Sequence, residues 1–468
     1  FTGKGVTVAV IDSGIMPEDD VSYQRIVYNE SFATGGNDYF DRFGHGTHIA
    51  GILGGDATDS TGSAYTRAFR GIAPGVKFVN LRVLDSNGSG SDSAVIAAIQ
   101  RAIALKSTYN IKIINLSIGR PVYESYTVDP LCRAVEAAWK AGIVVVVAAG
   151  NDGRDNSQNT GGYATISAPG NDPFVITVGA MKDAGTSSRA DDTIASYSAK
   201  GPTLIDHLAK PDLVAPGNKI IAAVPAGLAL TNTYMTNKPL LNYYMTNNPA
   251  GLSTTYFTLS GTSIATPMVS GAAALLLQQN PALTPDQVKA RLMRTATKVF
   301  PCTSVAIDPN TGVAYTSQYD VFTVGAGYLD VWAALNDTVS PAPGLALSPL
   351  VTYDAATGNV LLMAGQGTST TSTASSASSS TQTSTTVSTR SAVWGTSAVW
   401  GTSAVWGTSV FLKAWSAVWG TSAVWGTSAV WGTNGASGFS AVWGTKAVWG
   451  ASSKPAGETM KVAIQGEN

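Results

Sequence analysis

The sequence predicts an α/β domain: a mostly parallel central sheet with helices on both faces. Two observations carry this. Short, β-branched, nearly continuous apolar runs recur through the first 335 residues, at 6–12, 77–85, 111–119, 142–151 and 174–180. Strands buried on both faces of a parallel sheet read this way. Between them lie segments with apolar residues at helical spacing, 91–106 and 130–142, the second stopping at Gly142. Strand–helix alternation of this kind covers a sheet with helices on both faces.

Composition narrows the function classes. The chain has 468 residues, 44% of them hydrophobic, which suffices for a large core. Charged residues make up 13% and the net charge is −1, so nothing favours nucleic acid or an anionic membrane surface as partner. No apolar run approaches the roughly 20 residues of a membrane span. Cys132 and Cys302 lie far apart with no CxxC, and read as two buried thiols or one disulfide.

Taken in order, the first strand ends at Asp12, before the turn residues Ser13 and Gly14. A carboxylate there can accept from an imidazole or cap the turn. His45 opens the small-residue segment HGTHIAGILGG, with His48 three residues on. A metal site needs a third ligand, and the remaining histidine, His207, stands far along the chain. Asn151 follows the run VVVVAAG at a strand end, either as an oxyanion donor or as a turn residue. Ser263 lies at the N-terminus of a helix that runs to Gln279, with Pro267 expected in its first turn. Free N–H groups and the positive dipole end favour an anion there, although an ordinary N-cap serine looks the same.

The region 225–258 interrupts the alternation. It holds a near-repeat, TYMTN (233–237) and YYMTN (243–247), and reads as an inserted surface hairpin or loop. The α/β part is bounded at 1–337. A linker and short β-hairpin follow at 338–367, then a Ser/Thr-rich linker at 368–390. Residues 391–451 repeat SAVWGT, and 452–468 form a C-terminal tail. A period of six divides by two, so as a strand each unit would put its Trp on one face. Buried Trp in ordered β-structure, serving self-association or surface attachment, is the expectation. A disordered tail and a Trp row that contacts polysaccharide are the rivals.

Four segments together carry a resemblance. VAVIDSG (8–14), GHGTHIAG (44–51), AAGN (148–151) and GTSIATPMVSGAAAL (261–275) resemble, in order, the motifs of the subtilisin-like serine proteases, the subtilases. NLSIG (115–119), DSNGSGS (85–91), SAPGNDPFVITVGA (167–180) and KPDLVAPG (210–217) extend it over about residues 1–335.

The resemblance implies a subtilisin-like fold and a serine endopeptidase acting on proteins and peptides with broad specificity. Ser263 would be the nucleophile, His45 the general base and Asp12 its orienter; Asn151 and the Ser263 N–H would form the oxyanion hole. His48 would be structural. Gly88, Ser89 and Gly90, with Ser117, Ile118 and Gly119, would flank an extended substrate. Ala149 and Gly150, with residues 159–164, would line the primary pocket, and Asp152 would favour basic side chains.

No cofactor is needed for this chemistry. Structural Ca²⁺ comes with the family, and the acidic or amide-rich runs 85–92 and 190–192 are the candidates in sequence. Starting at Phe1, the chain is expected to be a processed form, secreted or at the cell surface, after removal of a signal and pro-segment. The competing reading is an inactive subtilase-like scaffold or binding protein.

Overall fold

In the computed structural model the described residues are 1–34, 36–157, 159–186, 188–308, 311–339, 344–354, 359–363 and 462–467. The Ser/Thr-rich linker and the SAVWGT repeats lie outside them, and with them the expectation of stacked strands and buried Trp.

The central sheet has eight strands: β1 (Thr7–Asp12), β2 (Ile26–Ser31), β3 (Lys77–Arg82), β4 (Ile111–Leu116), β5 (Val144–Ala148), β6 (Ile176–Lys182), β7 (Thr193–Ile194) and β8 (Leu213–Pro216). Their order is β2-β3-β1-β4-β5-β6-β7, with β8 also on β6. All pairings are parallel except β6 with β7. Every residue of β1 and β5 is buried, as their unbroken apolar character requires. The register sets Asp12 opposite Arg82 at the carboxyl end of β1. Ligand sites of open α/β sheets form beyond such ends.

Helices α1 (His45–Gly54), α2 (Asp92–Tyr109) and α3 (Pro130–Lys140) follow the predicted pattern. Ser91 caps α2 through Ala94 N–H, and Asp129 caps α3 through Leu131 and Cys132 N–H. In α3, Ala141 is the C-cap and Gly142 follows at φ +81°, where the predicted stop falls.

The region 225–258 is partly helical. It holds α4 (Ala229–Thr233) and α5 (Leu241–Tyr244), and is flanked by an antiparallel ribbon of β9 (Ile220–Ala223) and β10 (Tyr256–Leu259). It packs on the 62–69 segment: Tyr244 stacks on Tyr65 at 6.1 Å and meets Phe69 at 5.4 Å. The near-repeat thus buries an aromatic cluster, which its sequence did not signal.

The long helix α6 (Thr262–Gln279) packs against α1 and beneath β4, β5, β6 and β8. Pro267 is the sixth residue of α6, not part of its first turn as expected from sequence. Its ring therefore deprives the carbonyl of Ser263, four residues back, of its helical partner.

After α7 (Pro285–Thr295) come the hairpin β11 (Thr303–Ile307) and β12 (Ala314–Gln318), then α8 (Val321–Val324) and α9 (Val331–Asn336). A last hairpin, β13 (Leu350–Asp354) and β14 (Asn359–Met363), lies on the body. Val351 and Val360 bury against Tyr163, Ala209 and Phe322, and Val351 N–H donates to His207 O. Cys132 is buried and Cys302 exposed, and both are free thiols; the disulfide alternative is not realised, nor is Cys302 a buried thiol.

Candidate active site

Asp12 is fully buried at the end of β1. Its Oδ1 accepts from Ser13 N–H at 2.8 Å and pairs with His45 Nδ1 at 2.8 Å. His45 is the first residue of α1, and 15% of its side chain stays exposed. The approach is close because position 46 is glycine: a Cβ there would stand 2.2 Å from Gly14 O and 3.1 Å from Asp12 Cβ. Gly46 N–H instead donates to Ser13 Oγ.

The start of α1 is fixed by a residue that sequence reasoning passed over. Asp41 is fully buried; its Oδ1 accepts from Phe43 and Gly44 N–H, and its Oδ2 from Thr47 N–H and Oγ1. It ties off free N–H groups of the helix terminus, and its position just before the glycine-rich helix start was the available signal.

Burial works against a charged His45 ring. The charge of Asp12, its hydrogen bond and the charge of Asp41 outweigh burial and hold the imidazole above its ordinary value. His48 behaves oppositely. Burial, reinforced by the charge on His45, pushes it down to about 3. Its Nε2–H faces Ile220 O at 3.2 Å and Phe257 O at 3.1 Å, so a neutral ring bonds α1 to the β9–β10 ribbon.

Ser263 is the second residue of α6, after the Gly261 N-cap. Its carbonyl, left without a helical partner by Pro267, accepts from Ser117 Oγ at 2.7 Å. Ser117 Oγ in turn accepts from Asn115 Nδ2, and Asn115 Oδ1 accepts from Ser270 Oγ. A buried chain of side chains from β4 thus holds the first turn of α6.

Asn151 sits beyond β5, beside this turn. Its Oδ1 accepts from Thr262 N–H at 2.9 Å and from Thr262 Oγ1 at 3.1 Å. That occupies the oxygen and leaves the amide nitrogen as the end that can donate to another group. A methyl on Gly261 would stand 3.2 Å from that nitrogen. Gly150 N–H donates to Thr262 Oγ1, and Ala149 is buried behind it.

Of the expected substrate-flanking residues, Ser117, Ile118 and Gly119 continue from β4, and Arg120 pairs with Ala168 in an isolated bridge. Gly88, Ser89 and Gly90 lie in no strand: 85–89 is a turn closed on Asp85, whose Oδ1 accepts from Asn87 and Ser89 N–H.

The acidic run 85–92 therefore spends Asp85 on its own turn, and Asp192 Oδ1 accepts from Ala184 N–H. Carboxylates converge elsewhere, at Glu18, Asp20 and Asp59, whose oxygens lie within 4.8 Å of one another. Glu18 is pushed up to about 8, first by burial and then by the charge of Asp20, and its Oε1 has no hydrogen-bond partner among the described residues. An oxygen-ligated cation would relieve both, so this donor set fits a hard divalent ion. Sequence spacing hides it, because Asp59 reaches the other two across α1.

Among the described residues no helix is long and apolar enough to cross a membrane. A family model described as the subtilase family matches residues 3–313. The serine protease AprX of Bacillus subtilis (strain 168) is 41% identical over 297 residues, covering 62% of this chain and 61% of AprX. The chain thus spans less than two thirds of that relative. Subtilisin DY of Bacillus licheniformis is 34% identical over 299 residues, covering 64% of this chain and 86% of that protein. Among solved structures, sphericase superposes with a TM-score of 0.51 at 25% identity, covering 70% of this chain and 92% of sphericase.

Proposed function

The chain belongs to the subtilase family, and on that premise we propose that it is a secreted serine endopeptidase of broad specificity. Ser263 Oγ attacks the scissile carbonyl while His45 takes its proton, and His45 gives that proton to the leaving amine as the C–N bond breaks. Asp12 holds the Nδ1–H tautomer and stabilises the imidazolium, and the acyl-enzyme is then hydrolysed with His45 in the same role. Asn151 Nδ2 and the Ser263 N–H stabilise the oxyanion. The observation that carries the reading is the 2.8 Å pair between His45 Nδ1 and the buried Asp12. Support also comes from the fixed Asn151 amide beside the first turn of α6.

Gly88, Ser89, Gly90, Ser117, Ile118 and Gly119 flank the substrate backbone, which accepts many sequences because main-chain hydrogen bonds do not read side chains. Ala149 and Gly150 line the primary pocket. Glu18, Asp20 and Asp59 hold structural Ca²⁺, which takes no part in the chemistry. The SAVWGT repeats serve self-association or surface attachment, tested by sedimentation of a chain with 391–451 deleted and 452–468 retained.

The test of the enzyme is peptide hydrolysis by the full chain and by Ser263→Ala. Activity in the first and none in a normally folded Ser263→Ala is expected. A folded wild-type chain without hydrolysis would leave a scaffold, and an active Ser263→Ala would move the nucleophile elsewhere.

A further inference from the structure

Residues 462–467 lie against the body of the protein. Val462, Ala463, Ile464 and Gln465 make one helical turn on the body, with Val462 buried in the main core at 3% exposure. Ser260 N–H donates to Ala463 O, and Asn237 Nδ2 donates to Ile464 O. Gly466 turns the chain at φ +60°; a Cβ there would stand 2.4 Å from Ser260 Oγ. Asn218 then pairs with the Glu467 backbone in both directions, Nδ2 to Glu467 O and Glu467 N–H to Oδ1, each at 2.8 Å. The Glu467 carboxylate is 2% exposed. Its Oε2 accepts from Ser196 N–H at 2.8 Å, Ser196 Oγ at 2.7 Å and Arg154 Nη2 at 3.1 Å.

We propose that residues 154, 196, 218, 237 and 260 form a peptide-binding site for an acidic segment containing Gly-Glu, which this chain fills with its own residues 462–467. A two-way amide pair on one backbone unit and three donors on one carboxylate are the means by which peptide-recognition sites fix register and sequence.

The occupied site acts as a clasp on the catalytic loops. Arg154 is three residues from Asn151, and Gly153 N–H is held by Tyr197 O, next to Ser196. Ser260 is three residues from Ser263, and Ser260 Oγ accepts from Lys219 N–H, next to Asn218. Residues 463–467 therefore bridge the two, Glu467 holding the loop that carries the oxyanion donor and Ala463 the turn that carries the nucleophile. The bonds of Ala463, Ile464 and Glu467 fall on Arg154, Ser196, Asn218, Asn237 and Ser260, each three or more residues along the chain from the catalytic positions, so the peptide positions the site from outside the cleft.

The test uses a chain ending at Met460, the full chain carrying Glu467→Gln, and the synthetic peptide KVAIQGEN. Loss of the clasp is expected to lower kcat by about tenfold with little change in KM, as for a small misalignment of reacting groups. Added at about millimolar concentration, comparable to that of a tethered segment, the peptide is expected to restore kcat to the chain ending at Met460. Binding is read separately by calorimetry on the same chain carrying Ser263→Ala, so it stands whether or not the enzyme reading does. A merely structural tail would change stability without this split or this rescue. No heat of binding, an unchanged kcat in Glu467→Gln, or a rate that rises when the tail is removed would each overturn the proposal. Should the chain ending at Met460 not fold, Glu467→Gln alone decides.

Discussion

Ser117→Ala removes one buried hydroxyl and isolates two groups. The Ser263 carbonyl loses its 2.7 Å donor, and Asn115 Nδ2 loses its 2.9 Å acceptor. Each buried polar group left unpaired costs about 1–3 kcal/mol, so the substitution is expected to destabilise by about 2–6 kcal/mol. The cause of the dependence is Pro267, which has no N–H to offer Ser263 O. Pro267→Ala supplies that N–H within α6. The two substitutions should therefore couple: Ser117→Ala should cost about 1–2 kcal/mol less in the Pro267→Ala background. Denaturant unfolding of the four chains of the cycle measures this. A Ser263→Ala background keeps the backbone carbonyl and prevents self-digestion. Additivity within about 0.5 kcal/mol would show that Ser117 does not stand in for the missing helical bond.

Asn151→Leu removes the amide donor at similar size and should lower kcat by about 10²–10³ with KM little changed, the range found for the side-chain donor of subtilisin. A raised KM at constant kcat would contradict the oxyanion role. For His45, activity should rise with pH as the ring loses its proton, with a midpoint above the ordinary imidazole value. Asp12→Asn should move that midpoint down while cutting kcat by about 10⁴, and an unmoved midpoint would separate the two residues. His48 is depressed to about 3, so in the folded protein it stays neutral while the unfolded chain takes up a proton below about pH 6.5. Stability is thus present above that pH and falls by at most about 1.4 kcal/mol per unit between pH 6.5 and 3. His48→Leu should flatten this slope in acid unfolding, and an unchanged slope would refute it. Calcium at about 100 times its dissociation constant should raise Tm by about 5 °C. Glu18→Gln with Asp20→Asn should abolish the rise, and a rise that survives would place the ion elsewhere.

The parallel sheet was legible because its strands are buried on both faces, so β1, β4 and β5 appear as nearly continuous apolar runs. Strand β2, IVYNES, is only half-buried and carries polar residues, and no run marks it. Asp12, His45, Asn151 and Ser263 were legible as residues at element ends, and the order of their motifs joined them. What sequence could not give is how each is held. Asp41 on α1, Ser117 on Ser263 O and Thr262 on Asn151 are hydrogen bonds between segments far apart in the chain. The acidic cluster was missed for the same reason, because Glu18 and Asp59 meet across a helix. Pro267 was misplaced because α6 begins at Thr262, before the apolar run that signals it.

A fluorophosphonate reacts with a hydroxyl that an adjacent base has activated and an oxyanion hole accepts. Labelling the intact chain with such a probe, then mapping the adduct by peptide mass spectrometry, reads the combined action of Asp12, His45, Asn151 and Ser263. One adduct is expected, on Ser263, absent from Ser263→Ala and strongly slowed in His45→Ala. No adduct on a folded chain, an adduct on another serine, or equal labelling of the His45→Ala chain would contradict the triad.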